Sequence, residues 1–578
     1  MVHIPDANAQ PPEYHNVLII GAGVTGLAMG AQLRMMLGET DVRIIERSKG
    51  IGGTWEQNTY PGAGCDIPIV LYSFSFAQKK DWPEFWPPQH VIRDYLEKVS
   101  DRFDLTRRTV VNTEVSSAHW DDELGMWHVY TRPAKGQDTQ GGEDKHWICR
   151  VLISGVGGLS QPNPCNIPGH EKFQGPLFHS ARWDHSVQTK DKHVVVVGNG
   201  CSATQFIPML ANDGAKSITQ AVRSKHWYAK RPNDPTDSAV MKWLLRNVPG
   251  FYLLVRAIVH IVLELSSIMM YRHWAGTQAR ERFARNCISY IKQAAPTKYH
   301  DILVPQPEKD GLHPGCKRRV FDTDYLPTLH RDNVELESSP LVEIKENSVL
   351  TKDGRELPAD VIVLANGFAV TNMGFPMKIY GKTGKTVQDY WAEAGGPGCY
   401  RGSMMSEFPN FALAMGPNTG TGHFSYIFTS ECSTRFAIEI FKPIIQAPRP
   451  TVFNAKAPGA KKQPSVCVRP EKEEQEQCWI QKQSRSMVYT FDCGSWYVDK
   501  ESGRVAAVYP QTQTQFWIRA SNPIYSDFDY KGVKAPRTWF TGIRETIGWG
   551  GIPKQTPEDL KKFRSGEWAV GKPKGKEI

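Results

Sequence analysis

The sequence contains no Cys-x-x-Cys pair, although eleven cysteines are spread along its 578 residues. Cysteines scattered in this way argue against a dithiol oxidoreductase and a zinc ribbon, and we predict no metal site. The opening residues, MVHIPDANAQPPEYHN, also lack the apolar core of a secretory signal. We therefore expect an intracellular, cytoplasmic protein whose thiols are all reduced.

Blocks of like charge are missing as well. The 69 Lys and Arg residues and the 60 Asp and Glu residues are interspersed, and the formal net charge is +9 at pH 7. Nucleic-acid binding calls for basic residues gathered on one surface, so we expect no nucleic-acid partner. A chain of this length exceeds one hydrophobic core, which predicts two or three domains.

One long apolar run is present, FYLLVRAIVHIVLELSSIMMY at residues 251–271. Its polar residues Arg256, His260 and Glu264 recur every four positions and so share one face of a helix. A helix that spans a membrane would bury this face at substantial cost. We predict an amphipathic helix packed against the rest of a monomeric protein, with peripheral membrane contact as the less favoured alternative.

A glycine-rich turn follows the first apolar strand, in NVLIIGAGVTGLAMGAQL. Gly21, Gly23 and Gly26 form the pattern Gly-x-Gly-x-x-Gly between that strand and a helix, as in dinucleotide-binding turns. The next strand ends at Glu46, twenty residues after Gly26, where a carboxylate accepts hydrogen bonds from ribose hydroxyls. These residues predict a first dinucleotide site.

A second unit of the same kind is KHVVVVGNGCSATQFIPML. Gly198, Gly200 and Ala203 form Gly-x-Gly-x-x-Ala, and the partner strand ends at Arg223, twenty residues after Ala203. An arginine at this place indicates the 2′-phosphate of NADPH, although a solvated strand-end charge is the alternative. The other residues that we assign to this site are Ser202, Gln205 and Ser224.

Two dinucleotide units in one chain predict a resident flavin and a reductant whose nicotinamide reaches the flavin ring. The first unit is followed by the loop GIGGTWEQNTYPGAGCDIP, in which Gly and Pro indicate tight turns. A lone aspartate in such a loop is usually a turn residue. The loop residues that we assign to the FAD site are Gly53, Thr54, Trp55, Tyr60 and Asp66.

The connector between the two units, FQGPLFHSARWD, has the pattern Phe-x-Gly-x-x-x-His-x-x-x-Trp followed by Asp. Together with GGTWEQNTYPGAGCD and the two turns, it resembles the flavin-dependent Baeyer–Villiger monooxygenases. The resemblance implies that the connector joins an FAD domain to an NADPH domain and takes part in their relative movement. We interpret its His179 as a hydrogen-bonded linker residue rather than an acid–base catalyst.

The resemblance extends from about residue 15 to 525 and includes GCKRRVFDTDYLPTL, DVIVLANGFAV, GPNTGTGHF and, more weakly, GSWYVDKESGRVAAVYP. It implies that Arg318 lies over the flavin, and that Lys317 and Arg223 lie near the NADPH phosphate. The alternative for this basic run is a solvated surface.

The activity that the resemblance implies is insertion of one oxygen atom beside a ketone carbonyl, which gives an ester or lactone. NADPH reduces FAD, oxygen adds at flavin C4a, and the resulting peroxide must stay anionic to attack the carbonyl carbon. Arg318 would supply a permanent positive charge, and Asp66 would hold it through a charge-assisted pair and let it swing aside for the nicotinamide. We expect an apolar ketone of specialised metabolism as the substrate.

Two alternatives remain open at this point. One is a flavin monooxygenase that hydroxylates, epoxidises or oxygenates nitrogen or sulfur, and the other is a flavin-binding redox or interaction protein. The expected fold is α/β, with two Rossmann-like dinucleotide-binding domains and a helical insertion. We expect a loose C-terminal tail, FAD-domain residues 1–155 and 370–578, NADPH-domain residues 156–240 and 315–369, and the insertion at residues 241–314.

Overall fold

The computed structural model describes residues 12–134, 144–370, 377–491 and 493–570. In these residues the chain forms two large sheets, rich in parallel strands, with helices packed on them. This arrangement confirms the predicted α/β fold class. The predicted domain boundaries stay a prediction, and the predictions for residues 1–11 and 571–578 lie outside the described residues.

The first sheet has eight strands and contains the first glycine-rich turn. Its central strand, Glu13–Ile20, runs parallel to a neighbour on each side, and the second half of this strand, VLII, is apolar and buried. The strands are β1 (Glu13–Ile20), β2 (Val42–Ile45), β3 (Thr109–Val110), β4 (Thr113–Asp121), β5 (Met126–Pro133), β6 (Lys145–Ser154), β17 (Lys378–Tyr380) and β18 (Phe411–Leu413). Their order is β17-β4-β5-β6-β1-β2-β3, with β18 also paired to β6.

The second sheet has five strands, all parallel, in the order β12-β9-β8-β16-β7. Its strands are β7 (Leu177–His179), β8 (His193–Val197), β9 (Ser217–Ala221), β12 (Val334–Glu337) and β16 (Val361–Leu364). The valine run of β8 is nearly buried because the strand lies in the middle of this sheet. Three smaller sheets contain β10 (Tyr228–Lys230) with β11 (Val320–Asp322), β13 (Leu341–Ile344) with β14 (Ser348–Thr351) and β15 (Glu356–Pro358), and β19 (Ser465–Val468) with β20 (Phe528–Lys531).

Helices connect and cover the sheets. Those up to the second sheet are α1 (Val24–Leu37), α2 (Thr54–Gln57), α3 (Gln89–Arg102) and α4 (Cys201–Asn212). Between β10 and β11 lie α5 (Ala239–Asn247), α6 (Phe251–Ser266), α7 (Trp274–Ala294), α8 (His300–Leu303) and α9 (Pro307–Asp310). The remaining helices are α10 (Tyr325–Thr328), α11 (Val387–Glu393), α12 (Tyr426–Ile445), α13 (Pro470–Ser484), α14 (Gln513–Ser521), α15 (Trp539–Thr546) and α16 (Pro557–Arg564).

Helix α6 is amphipathic, as its pattern predicts, but its polar face is the one that meets the protein. Arg256, His260 and Glu264 all hydrogen-bond to other parts of the chain. By length and composition, Phe251–Met270 is the one helical segment among the described residues that is apolar enough to cross a membrane. Periodicity identifies residues that share a face, whereas packing decides which face points inward.

Two expectations about the chain are wrong. Cys316 and Cys493 form a disulfide, so not all eleven thiols are reduced; a separation of 177 residues gives no sequence signal for this pair. The C-terminal region is also less loose than expected, because α16 packs on α13. Asp559 pairs with Lys482 at 2.8 Å, and Phe563 is buried.

Candidate active site

The first glycine-rich turn is shaped by the protein's own backbone. Gly21 has φ of +97°, and a Cβ on Gly26 would lie 1.9 Å from the Gly21 carbonyl oxygen. The loop from Gly53 approaches equally closely, since a Cβ there would lie 2.7 Å from the Cα atom of Gly23. Only glycine fits at these contacts, so the sequence pattern reflects steric need.

Glu46 lies beside this turn at the end of β2 and is 4% exposed. Its carboxylate accepts hydrogen bonds from the backbone N–H groups of Ala22 and Ser48, both at 2.7 Å. Helix α1 begins after Gly23 without a side-chain cap. Its first N–H groups are therefore left for an anion such as a pyrophosphate.

The second turn has the same backbone form but more room at its second glycine. Gly198 has φ of +113°, while a Cβ on Gly200 would meet nothing within 4 Å. Helix α4 also begins without a side-chain cap, and Ala203 is buried in its first turn. Asn199 donates from Nδ2 to the carbonyl of Ser224 at 2.8 Å, which ties the turn to the end of β9.

Basic side chains gather at the end of β9. Arg223 is exposed, and its charge adds to the effect of burial in lowering the pKa of Lys317. Burial and then the Lys317 charge lower the pKa of His226 to about 4. Like charges in close proximity are unfavourable unless an anion joins them, so this cluster fits a phosphate.

The loop after β2 bridges the two dinucleotide units. The Tyr60 hydroxyl donates to Gln205 Oε1 at 2.8 Å, and Gln205 Nε2 donates to the Gly64 carbonyl at 3.0 Å. Burial raises the pKa of Tyr60 to about 12, with a hydrogen bond to Ser202 acting in the opposite direction. The loop therefore bonds directly to α4.

Two further loop residues begin α2. Thr54 is exposed at the first position of this short helix, directly after Gly53. Trp55 is buried, and its indole Nε1–H donates to the Tyr72 hydroxyl at 3.2 Å. Thr54 is thus accessible, whereas Trp55 anchors the loop in the core.

The connector contacts both units. Its strand β7 pairs in parallel with β16 at the edge of the second sheet, while Arg182 Nη1 donates to Gln57 Oε1 at 3.1 Å. His185 hydrogen-bonds to Thr59 at 2.8 Å. His179 is buried, accepts from the Ala181 N–H at 3.0 Å and bonds to the Gly367 carbonyl at 3.1 Å, contacts that suit a linker residue.

Asp66 and Arg318 meet between the loop and the segment before β11. Arg318 donates from Nε and Nη2 to the two Asp66 carboxylate oxygens at 2.9 and 2.5 Å, and each side chain is about a quarter exposed. Burial alone would raise the pKa of Asp66, but attraction and hydrogen bonding to Arg318 lower it below its ordinary value of 3.8. The same pairing raises the pKa of Arg318 above its ordinary value despite burial.

Asp66 lies between two cavities. One of about 350 Å³ is lined by Tyr60, Gln205 and other residues of the loop and of α4. The other is a narrow cleft on the Arg318 side, with Lys317 and Arg319 in its wall. Its apolar and aromatic lining consists of Met269, Met270, Phe283, Phe321, His423 and Tyr497. The ion pair is therefore accessible from both sides.

Comparison with known proteins identifies the group to which this arrangement belongs. The FMO-like family, described as flavin-binding monooxygenase-like, matches residues 14–248. A Baeyer–Villiger monooxygenase of Streptomyces coelicolor is 32% identical over 511 residues, which is 88% of this chain and 91% of the relative. The chain belongs to the Baeyer–Villiger monooxygenase family.

Other relatives agree with this assignment. The FAD-binding monooxygenase ktnD of Aspergillus niger is 32% identical over 531 residues, covering 89% of this chain and 82% of the relative. The solved structure of an oxidised steroid monooxygenase bound to NADP has a TM-score of 0.73 at 25% identity and covers 89% of this chain and 99% of its own. The present protein is therefore an FAD- and NADPH-dependent monooxygenase.

The two turns of this family member fit its two cofactors. Each presents an uncapped helix start to an anion, the first beside buried Glu46 and the second beside the cluster of Arg223 and Lys317. A carboxylate suits ribose hydroxyls, and a basic pair suits an additional phosphate. The first site thus fits FAD and the second fits NADPH.

Some residues of the site escape sequence reasoning. Met269 and Met270 belong to the apolar run, which shows no link to the glycine turns in the sequence. Tyr497 lies in GSWYVDKESGRVAAVYP, where the resemblance is weak, and His423 lies in GPNTGTGHF. The family resemblance of those two segments could have pointed to Tyr497 and His423. The two methionines can be assigned to the cleft only from the position of α6 in the structure.

Proposed function

We propose that the enzyme oxidises an apolar ketone to an ester or lactone, and that Arg318 and Asp66 hold the charge that this reaction requires. The observation that supports this proposal is the ion pair of Arg318 and Asp66, which is held by two hydrogen bonds. Asp66 lines both the cavity of about 350 Å³ and the narrow cleft beside Arg318. Bound flavin, reduced by NADPH, supplies activated oxygen to such a site.

Arg318 is suited to stabilise an anion and unsuited to donate a proton. Its pKa is raised above the ordinary value of an arginine, which is already high, so the guanidinium stays charged at any pH at which the enzyme works. A fixed positive charge in a site shielded from water favours an anionic oxygen nucleophile and the oxyanion formed after attack on a carbonyl. Oxygenation of nitrogen or sulfur uses an electrophilic oxygen donor and does not need this charge.

Asp66 orients the guanidinium. Two hydrogen bonds fix the plane of Arg318, and attraction to Arg318 lowers the pKa of Asp66, which favours the ionised carboxylate. Its position between the cavities lets the same residue hold Arg318 in one orientation and release it in another. A nicotinamide and a ketone can then use the space beside the flavin in turn.

The other residues bind the cofactors. Glu46 accepts from ribose hydroxyls, the uncapped start of α1 binds the FAD pyrophosphate, and the start of α4 binds that of NADPH. Arg223 and Lys317 bind the 2′-phosphate. The cytoplasmic location and the monomeric state stay predictions.

The lining of the cleft supports the proposed substrate class. Methionine and aromatic side chains surround Arg318, so the cleft favours a ketone with a large apolar body over a small hydrophilic one.

A substrate panel tests this function. Purified enzyme with FAD and NADPH is given cyclic ketones, long-chain ketones and sulfides under ¹⁸O₂, and products are identified by mass spectrometry. We expect one ¹⁸O atom in an ester or lactone, with apolar ketones preferred. Sulfoxide formation without any ester would overturn the proposal.

A further inference from the structure

An exposed apolar stripe runs along α6, opposite the face that meets the protein. Its members are large aliphatic side chains, each at least half exposed: Leu253 57%, Leu254 55%, Ile258 50%, Ile261 56%, Val262 58% and Leu265 68%. Since the helix has 16 residues, it extends about 24 Å. Contiguous apolar surface of this extent is rare on soluble monomers and marks a contact with a membrane or another protein.

The polar residues of α6 face inward and hold the helix to the protein. Arg256 is buried and donates to the carbonyls of Val70 and Ser73. Glu264 accepts from the backbone N–H of Gln513 at 3.0 Å, at the start of α14. The same face carries Tyr252 and Leu263, which are buried, so apolar side chains lie on both the inward and the outward face of α6.

Aromatic and basic residues flank the stripe. Trp243 on α5 is 58% exposed, and Trp274 at the start of α7 is 78% exposed. Arg246 and Arg272, near the two ends of α6, are exposed as well. From residue 239 to 279 the only acidic residue is Glu264, which faces inward. Tryptophan favours the depth of lipid headgroups, and basic residues favour anionic lipids.

We propose that this stripe docks the enzyme onto an anionic lipid bilayer, with α6 lying in the plane of the interface. A spanning helix would carry Arg256 and Glu264 into hydrocarbon and break their bonds to the protein, at considerable cost. An interfacial helix instead buries only its apolar face, at the boundary of headgroups and acyl chains.

A second copy of the chain fits the stripe less well than a membrane. Both ends of α6 are basic, through Arg246 and Arg272, so two copies docked on this stripe would bring like charges together whichever way the helices run. Anionic headgroups would neutralise both ends at once.

The stripe leads to the cleft beside Arg318. Met269 and Met270 follow α6 directly and line that cleft, and Glu264 bonds to His423 of the same cleft at 3.3 Å. Docking through α6 would place the cleft near the bilayer surface, where an apolar ketone concentrates. This part of the inference rests on the proposed function; the docking itself does not.

Vesicle flotation tests the docking with the full-length enzyme loaded with FAD. We expect the enzyme to float with vesicles that contain phosphatidylglycerol and to bind vesicles of phosphatidylcholine alone more weakly. The double variant Ile258→Glu/Ile261→Glu should bind anionic vesicles about tenfold more weakly or worse, because two carboxylates replace apolar contacts. The matched control Met35→Glu changes another exposed apolar residue, 47% exposed on α1, and should float like the unaltered enzyme.

Two further measurements distinguish a loss of membrane binding from misfolding and from dimer formation. FAD content and ester formation from a water-soluble ketone without vesicles should be equal in the double variant and the control, which shows that both are folded. Sedimentation velocity reports any dimer. The proposal is overturned if the unaltered enzyme does not float, if the double variant floats equally well, or if the stripe instead supports a dimer that the substitutions dissociate. Flotation without ester formation from any ketone would refute the proposed function and leave the docking intact.

Discussion

The two glycine-rich turns share one backbone design but differ in what confines them. In the first turn, a Cβ at the third position, Gly26, would meet the Gly21 carbonyl oxygen at 1.9 Å, while the second turn carries Ala203 there. The loop at Gly53 presses on the first turn, whereas the space at Gly200 is open. The first turn is thus confined at its third position and by the Gly53 loop, whereas the second turn is confined at Gly198, where a Cβ would lie 2.4 Å from the Ala365 carbonyl oxygen, and open at Gly200.

The charged residues at the ends of the strands that follow the two turns differ in their burial. Glu46 is buried and held by two backbone N–H groups, whereas Arg223 is exposed within a basic cluster. A fixed, buried acceptor suits a cofactor that stays in place through many turnovers. An exposed cation that attracts phosphate suits a cofactor that exchanges at each turnover.

The largest effect is expected at the first turn. Gly26→Ala would force the added methyl group into the Gly21 carbonyl, which displaces α1 and destroys the FAD cradle. We expect purified protein with at least about tenfold less flavin, measured by absorbance at 450 nm, and poor solubility. The matched variant Ala203→Gly, which removes a methyl group from the second turn, should retain its flavin; equal flavin loss in both variants would show that the loss in Gly26→Ala does not come from the contact with the Gly21 carbonyl.

The second-largest effect is expected for the ion pair of Arg318 and Asp66. Arg318→Ala should lower ester formation about 100-fold or more, because one preorganised charge is lost where negative charge develops. NADPH should still reduce the flavin, and the oxygen consumed should appear as hydrogen peroxide. Stopped-flow absorbance and a peroxide assay measure these outcomes.

Two variants accompany this test. Asp66→Ala should slow both flavin reduction and oxygenation, since Arg318 is then charged but not oriented. Arg318→Lys keeps the charge, loses the two-point geometry and should fall between Arg318→Ala and the unaltered enzyme. Normal ester formation by Arg318→Ala would remove this residue from the mechanism.

A smaller effect is expected at the second site. Arg223→Ala should raise the KM for NADPH about tenfold while kcat at saturation hardly changes, because the lost contact is the same in the ground and transition states. NADH serves as the internal control, since it lacks the 2′-phosphate and its KM should not move. Equal use of NADH and NADPH by the unaltered enzyme would contradict the phosphate assignment.

The smallest effect is expected for Gly200→Ala. Apart from the adjacent residues of the chain, no atom of the described residues lies within 4 Å of the added methyl group, so stability and flavin content should not change. Any effect should be confined to a few-fold rise in the KM for NADPH, because the added methyl group would meet the cofactor pyrophosphate, which this glycine is expected to approach. A fall in the melting temperature comparable with that of Gly26→Ala would show that the second turn is not open.

The sequence predicts the dinucleotide units well because their constraints are local. Gly21 and Gly198 have the positive φ that tight turns require, and the spacing to Glu46 and Arg223 follows from one strand-helix-strand unit. The contact between Asp66 and Arg318 joins residues 252 positions apart, and only the family resemblance suggests it. The role of that pair stays a prediction.

Other features depend on long-range packing and could not be read from the chain. The period of α6 correctly gathers Arg256, His260 and Glu264 on one face, but the acceptors that draw this face inward come from distant loops and from α14. Whether the apolar side chains of α6 are buried depends on which other segments of the chain pack against them. The same is true of Met269 and Met270, which line the cleft through the placement of α6.

The disulfide between Cys316 and Cys493 ties the segment that carries Arg318 to the wall of the cleft beside it. Cys316 is two residues before Arg318, and Cys493 is four residues before Tyr497 in the wall of the same cleft. The covalent crosslink makes the arginine's backbone and this wall a single mechanical unit. Movement of the backbone near Arg318 away from the segment that carries Tyr497 is therefore limited by a covalent bond, whereas rotation of the Arg318 side chain is not.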